Sequence, residues 1–547
     1  MNQRAETQKS SFWRMFGVYL LLGSASGVML WLSLPGFELW YLSFVSLVPI
    51  LVMLQGRHGK TAVLVTWLSG SGYYFATVSW LSHLTPPGWV ALALYLSLGF
   101  LLFAILARVL LQGNPRLPYA VGIPVLWLAA QLLRSLPLGG FDWYLLGHNL
   151  YRRLVLIQIA DLFGVFGVSF VVITVSAVIA RIIHLGIWRG FSDRRDRGEA
   201  VLGAVYAVLL VLASFTYGTF RLAEADLKPG PTISVVQGNI PQDLKEFVQS
   251  DPNAHLDKAR HMWETYVTLT RPLTKRTDDL VVWPETTTTF ALEGDRTAKH
   301  DYSAFERKRI LSIRRELDRP FMVGSIRMVP EDNALRYYNC AYYFHKDDGS
   351  FERYDKIYPV PFGEIVPFQG TWFAEVVEFF MPEGYQARLS AGTELKLFKL
   401  KAWTFAANVC YEDTKPSLNR AFCRMGAQFI VNLTNDGWFR ETAELDQHLA
   451  NSVFRSVENR VAQVRATNTG ISAFINSKGA ITSHIEDRQT GKHRRVKGVL
   501  TDTVMLDDRS TLYAMIGELF SWVMLSVAAL WVLTRLIGRV VRLFRRG

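Results

Sequence analysis

The stretch FAANVCYED, Phe405 to Asp413, runs from apolar residues into a thiol that is followed at once by Tyr411, Glu412 and Asp413. Cys410 is one of three cysteines, the others being Cys340 and Cys423. Three irregularly spaced cysteines make neither a disulfide framework nor a metal-binding pattern. A lone cysteine closing an apolar run is by default a small buried hydrophobe. It becomes a nucleophile when a base and a cation reach it, because the thiolate is the reactive species and an unperturbed thiol titrates at about 8.5. Two other stretches carry such groups: VVWPETT is apolar up to Glu285, and RYDKIYPVPFGE presents Lys356 and Glu364. Taken singly, Glu285 after Pro284 fits the first turn of a helix, Lys356 a solvated charge on an aromatic hairpin, and Glu364 its ion-pair partner. Taken together they make an acyl-transfer set. The carboxylate takes the thiol proton, the ammonium stabilises an oxyanion, and the sulfur carries the acyl group as a thioester. Cys340 in NCAYYF and Cys423 in AFCRMG have no such companions and are expected in the core.

These groups need a scaffold, and the segment from Pro229 to Leu506 supplies one. Short β-branched or aromatic runs recur there: TISVVQGNI, LVVWPET, PFMVGSI, NCAYYFH, KAWTFAANV, AQFIVNLTND, ISAFINSKG and KGVLTDTVML. They read as buried strands. Helical patterns lie between several of them, in HLDKARHMWETYVTLTRPL, YSAFERKRILSIRRELD and LDQHLANSVFRSVENRVAQVRA. Strands alternating with helices give sheets covered by helices. Glu285, Lys356 and Cys410 each fall just past a strand, where a rigid sheet holds a loop still.

The flanks are of another kind. Half of the 547 residues are hydrophobic and 19% are charged, with the apolar residues massed at the two ends. Segments of about 20 apolar residues, the length that spans a bilayer, begin near Phe12, Glu38, Ala62, Trp89, Pro118, Leu154, Ala200 and Leu512. The first has no small-residue cleavage site after it and is expected to stay in the protein. Lys and Arg collect before span one, in alternate loops and in the C-terminal tail, as at Arg4, Lys9, Arg57, Lys60, Arg108, Arg194 and Arg539. Basic flanks stay cytoplasmic, which places both termini inside and the segment between spans seven and eight outside. The net charge of +12 is largely this topological signal. It is not one basic face on a soluble domain, and nucleic acid is therefore not an expected partner. Gln131, Gln158 and Asp161 fall within spans; they either line a lipid path or hydrogen-bond helix to helix.

The order Glu285, Lys356, Cys410, each past a strand, resembles the nitrilase superfamily. With the spans, and with VVQGNIPQDLK, VPFGEIVPF, NVCYED, NLTNDGWF, RATNTGIS, TLYAMIGE and GGFDWYLLGHN, it resembles the membrane-embedded branch of that superfamily, the apolipoprotein N-acyltransferase family. The resemblance implies a membrane α-helical bundle of about eight spans plus an extracytoplasmic α/β domain, a nitrilase-like α-β-β-α sandwich. The implied domains are 1-220, 221-509 and 510-547. It implies a Glu285–Lys356–Cys410 triad, with Glu364 orienting Lys356, and Tyr411 and Glu412 shaping the thioester pocket. The implied donor is a phospholipid, the acceptor a diacylglyceryl-apolipoprotein and the setting the lipid bilayer of a bacterial inner membrane. No cofactor and no metal are expected, and the expected state is a monomer. The alternatives are a membrane-tethered amidase or hydrolase with the same triad, and a non-enzymatic transporter or receptor. The chain departs from the family pattern at Glu246, which intervenes before Phe247. It departs again in RETAELDQH from Arg440, where the family usually has a glycine and a Ser/Pro-containing turn, and in PETTTTFAL, which lacks the proline common in the family soon after Glu285. These departures bear on the choice of acyl donor more than on the chemistry.

Overall fold

The computed structural model describes residues 2–56, 58–111, 119–137, 140–191, 193–224, 226–245, 256–295, 301–331, 334–368, 370–379 and 389–544. The chain divides into two compact units, Met1–Ala223 with Ile516–Gly547, and Glu224–Met515.

The first unit is helical. It contains α1 (Asn2–Leu32), α2 (Val48–Gln55), α3 (Gly59–Thr77), α4 (Pro86–Leu111), α5 (Tyr119–Ser135), α6 (Ala160–Arg189), α7 (Arg194–Glu224) and a C-terminal helix, Leu519–Phe544. Among the described residues, five segments are long and apolar enough to cross a membrane: Trp13–Leu32, Pro86–Val109, Ala160–Ile187, Arg194–Glu224 and Leu519–Gly538. The other three expected spans differ for identifiable reasons. The second divides into a turn of 3-10 helix, Trp40–Phe44, and the 8-residue α2. The third forms α3, whose apolar content is diluted by Lys60 and by Ser69, Gly70, Ser71 and Gly72. The fifth, α5, has 17 residues and is short for a span.

Polar side chains in this unit are tied down locally. Asp161 on α6 accepts from Tyr217 Oη at 2.7 Å and from Arg221 Nε at 2.8 Å, both on α7. Gln131 Oε1 accepts from Arg134 Nε at 3.0 Å, and Gln158 donates to the Leu154 carbonyl at 2.8 Å. The Asp161 bonds join two helices, whereas those of Gln131 and Gln158 are local, to residues three and four positions away.

The second unit holds two six-stranded sheets. One contains β1 (Lys228–Gln237), β2 (Leu280–Trp283), β3 (Phe321–Glu331), β4 (Ala334–Phe344), β5 (Phe351–Asp355) and, beside β1, β12 (Gly498–Leu506). The other runs β6 (Leu397–Leu400), β7 (Trp403–Val409), β8 (Phe429–Thr434), β9 (Ala462–Thr467), β10 (Ala473–Ile475) and β11 (Ile481–His484). The inner strands of each sheet, β1–β2–β3 and β7–β8–β9, are parallel, and the outer ones antiparallel.

The two-residue period of a strand decides what each face buries. Ile233, Val235, Leu280, Val282, Met322, Ala341 and Tyr343 join Phe405, Val431 and Val464 in a core shared by the two sheets. Their alternates Val236, Val281, Trp283, Phe321, Val323 and Tyr342 pack instead with Met262 and Tyr266 of α8 (Leu256–Thr270) and Ile310 and Ile313 of α9 (Tyr302–Leu317). On the second sheet's side lie α10 (Pro416–Arg424) and α11 (Glu444–Asn459). The sequence pattern extends the last helix through LDQHLANSVFRSVENRVAQVRA, whereas α11 stops at Asn459. Arg460, with φ +54°, closes it in the left-handed conformation, and Ala462–Thr467 continues as β9 paired along β8. The β-branched Val461 and Val464 favour the strand, and the partner strand outweighs the helical period.

Candidate active site

Glu285 follows β2 by two residues and is 5% exposed. Its loop lies against β3 because residue 324 is glycine: a Cβ there would sit 2.4 Å from the Pro284 carbonyl oxygen and 2.6 Å from Glu285 Cα. Lys356 follows β5 and is 1% exposed. Its Nζ lies 2.9 and 2.8 Å from the two oxygens of Glu364 and 3.6 Å from Glu285 Oε1. Asn339, on β4, ties the two carboxylates together, donating through Nδ2 to Glu285 Oε1 at 2.6 Å and to Glu364 Oε1 at 3.3 Å. The Val360 N–H donates to Glu364 Oε2 at 2.7 Å, which fixes the loop that carries it. From the other side, Lys245 Nζ donates to the Glu285 carbonyl at 3.3 Å and to Thr286 Oγ1 at 2.9 Å. Thr286 has φ +47°, a conformation that a non-glycine residue holds only when its surroundings enforce it.

Cys410 is the first residue after β7 and has φ +53°. It opens a turn of 3-10 helix, Cys410–Thr414, directly at the strand end. The turn is anchored by Glu412, fully buried. Oε2 accepts from the Val409 N–H at 2.7 Å, while Oε1 accepts from Tyr354 Oη at 2.7 Å and from the N–H groups of Ile357 and Tyr358 at 2.7 and 3.0 Å. One carboxylate thus fastens the cysteine turn to the segment that follows Lys356. Asn432 Nδ2 donates to the Cys410 carbonyl at 3.2 Å. Tyr411 is buried, with the Lys415 ammonium 3.1 Å from its hydroxyl and 4.5 Å from its ring centre.

The electrostatics follow from burial and from these pairs. Burial pushes Glu285 above the ordinary carboxylate range, Lys356 pulls it down and Glu364 pushes it up again. Burial alone would lower Lys356, but Glu364 and Glu285 outweigh it, and the ammonium is held above its usual value. The Cys410 thiol is raised well above a free thiol by burial and by Glu285, against the pull of Lys356. The resting sulfur is therefore protonated, and a carboxyl of raised basicity stands ready to take that proton as the sulfur attacks. Burial holds Lys245 down at about 8.

The structure brings Glu285, Lys356 and Glu364 into one hydrogen-bonded group and sets Cys410 within reach of their charges. Cys340 is buried, with its Sγ 3.0 Å from Asp355 Oδ1. Cys423 is partly buried against the core shared by the sheets. Two members of the site escape a motif reading. Asn339 stands beside the more conspicuous Cys340 in YYNCAYYF, and its only signal is an amide in an aromatic strand. Lys245 is one lysine in NIPQDLK, and nothing local says that it folds under Glu285. Of the departures from the family pattern, Glu246 and Phe247 lie outside the described residues. Arg440 adopts φ +54° and ψ −146°, a backbone region that favours glycine.

A model of the apolipoprotein N-acyltransferase N-terminal domain matches residues 26–178, and one of carbon-nitrogen hydrolases matches residues 232–510. The chain is 30% identical over 529 residues to the apolipoprotein N-acyltransferase of Geobacter metallireducens, covering 93% of this chain and 94% of the relative. It is 29% identical over 513 residues to that of Rhizobium rhizogenes, covering 86% and 88%. To apolipoprotein N-acyltransferase 1 of Treponema denticola it is 26% identical over 538 residues, covering 92% and 94%.

Proposed function

The chain belongs to the apolipoprotein N-acyltransferase family of the nitrilase superfamily, and from that premise we propose that Cys410, Glu285 and Lys356 carry out the acyl transfer. The observation that supports this most is the burial of Glu285 and Lys356, with Glu364 paired to the lysine, near a cysteine held at positive φ on a strand end.

In the first half-reaction Glu285 takes the proton of the Cys410 thiol while the sulfur attacks the ester carbonyl of a phospholipid. Lys356 stabilises the oxyanion, with the backbone near Tyr411 as a further donor. The carbon–oxygen bond breaks, the Glu285 proton passes to the departing oxygen, and a lysophospholipid leaves a thioester behind. In the second half-reaction the α-amino group of a diacylglyceryl-cysteine attacks the thioester. Glu285 accepts the amine proton, the carbon–sulfur bond breaks, and the thiolate recovers a proton to regenerate the thiol. Glu364 and Asn339 keep Lys356 and Glu285 in register, and Glu412 holds the cysteine turn.

The helical unit serves as the membrane domain, crossing the bilayer about eight times with both termini cytoplasmic. The α/β unit works as a monomer on the extracytoplasmic side of a bacterial inner membrane. The arginine distribution supports the orientation. A donor whose acyl chains resist leaving the bilayer, at about 0.8 kcal/mol per CH₂, explains why the enzyme is embedded there.

The test is transfer by the purified full-length chain from phospholipid vesicles to a diacylglyceryl-cysteinyl peptide. An amide-linked acyl group on the peptide and an equal amount of lysophospholipid are expected. Free fatty acid formed as fast as the amide would replace the transferase reading of this site with a hydrolase.

A further inference from the structure

Behind Cys410 lies a second buried ionic cluster that the acyl-transfer steps leave unused. Asp413 belongs to the cysteine turn, Asp436 opens the turn after β8, Glu444 and His448 come from α11, and Arg465 from β9. Each is at most 1% exposed. His448 Nδ1 lies 2.8 Å from Asp436 Oδ1, and Nε2 lies 2.8 Å from Asp413 Oδ1. With a carboxylate oxygen at each ring nitrogen, both nitrogens donate and the ring is an imidazolium. This leaves no lone pair for a metal, although Asp436, Glu444 and His448 bring ligand atoms within 4.8 Å of one another. Arg465 Nη1 donates to Asp413 and, at 2.6 Å, to Ser452 Oγ, while its Nη2 stands 3.8 Å from Asp436 Oδ2.

The charges are paired. Burial would push the imidazole down, but Asp413 and Asp436 hold it up at about 10. Burial would raise Asp413, but His448 and Arg465 keep it below the usual range. Glu444, 3.8 Å from His448 Nδ1, is driven well up by burial and by Asp436. Asp413 and Asp436 thus face two cations, the His448 imidazolium and the Arg465 guanidinium.

This cluster meets the active site in two ways. It joins the turns that follow β7 and β8, which leave the sheet side by side with Val409 opposite Leu433. The Asp436 charge also bears on the Cys410 thiol and pushes it upward. Asp436 is held close over Gly470, whose φ is +109° and where a Cβ would lie 2.3 Å from Oδ2.

We propose that the Asp413–His448–Asp436 bridge is a positioning element for acyl transfer: it locks the Cys410 turn to its neighbour, and its cation offsets carboxylates that would otherwise disfavour the thiolate. The inference rests on Cys410 as the nucleophile. His448 touches no reacting atom and acts through the two aspartates. The other charged groups around Cys410 are Glu285, Lys356 and Glu364 in front and Glu412 and Lys415 along its own turn. Those around His448 are Asp413, Asp436, Glu444 and Arg465.

The test is the pH dependence of Cys410 alkylation by iodoacetamide in the full-length protein, read by peptide mapping. His448→Gln should slow alkylation near neutral pH by about tenfold, one unit of thiol pKa, and move the profile to higher pH. Adding Asp436→Asn restores the charge balance and should recover most of that loss, which a purely structural role would not do. Asp436→Asn alone should alkylate faster than wild type, and it keeps the inference testable if His448→Gln fails to fold. An unchanged His448→Gln profile, or a double variant no faster than His448→Gln, overturns the inference. If wild-type Cys410 reacts with phospholipid but the profiles do not move, the bridge alone is rejected. If wild-type Cys410 forms no acyl adduct, the nucleophile reading falls and the bridge loses its purpose with it.

Discussion

The two units bury polar side chains in different ways. In the helical unit Asp161 meets Tyr217 and Arg221, and Asn149 meets Ser33 and Ser43, small sets that join one helix or turn to another. In the α/β unit the buried groups form chains. Lys245 holds the Glu285 loop, Asn339 links Glu285 to Glu364, and Glu364 grips Lys356. On the other sheet, Glu412 and Asp413 extend the connections from the cysteine turn. A small set contributes to packing and can be replaced at modest cost, whereas a chain fixes the relative placement of several groups and fails as a unit. The difference separates polar residues that hold a fold from polar residues that hold a reaction.

The largest break in that contrast should come from Cys410→Ala, which removes the sulfur that carries the acyl group. Transfer should fall by about 10⁴-fold or more, as when one member of a cooperating catalytic set is lost, with the circular dichroism spectrum unchanged. Glu285→Gln should be nearly as severe, since no base remains at the first step. Lys356→Ala should cost about 10²–10³-fold, the usual loss when one oxyanion donor is deleted. Retained transfer in any of these three would dissolve the distinction between the units.

A smaller and more diagnostic effect is expected for Glu364→Gln. Glu285 must be ionised to act as a base, so activity rises as pH climbs through its raised pKa, and the acid limb of kcat/KM should lie above the ordinary carboxylate value of about 4.3. The Glu364 charge contributes to that elevation. Removing it lowers the Glu285 pKa, and the limb should move to lower pH even as the maximum rate drops. A limb that moved upward would show that Glu364 acts on Glu285 mainly through Lys356.

Much of this site was legible because its chemistry sits in short motifs. Glu285 and Cys410 each follow a run that reads as a buried apolar strand, and Lys356 and Glu364 share the short motif RYDKIYPVPFGE. What could not be read is which side chains meet across the fold. Glu412 looked like part of a pocket wall, yet its four hydrogen bonds make it the fastener between the cysteine turn and the lysine segment. Asn339 and Lys245 act through tertiary contacts that leave no periodic trace. The end of α11 was missed because Arg460 takes a left-handed turn that no residue preference announces.

Two weaker effects sharpen the contrast from each side. Glu412→Ala leaves the buried Val409 N–H and Tyr354 hydroxyl, and the part-buried N–H groups of Ile357 and Tyr358, without their acceptor. Each unsatisfied group costs about 1–3 kcal/mol, so this variant should lose more thermal stability than Cys410→Ala. The smallest effect is expected for Asp161→Asn in the helical unit. One interhelical acceptor survives, and stability should fall by about 1 kcal/mol with kcat/KM close to wild type. A large loss of transfer without a loss of stability would instead put Asp161 on a substrate path.

The most direct measurement is the intact mass of the full-length protein after incubation with phospholipid and no acceptor, followed by peptide mapping. The expected result is a single acyl adduct on Cys410, absent from Cys410→Ala and discharged when a diacylglyceryl-cysteinyl peptide is added. An adduct on another residue, or the same adduct on Cys410→Ala, would contradict a thioester at Cys410.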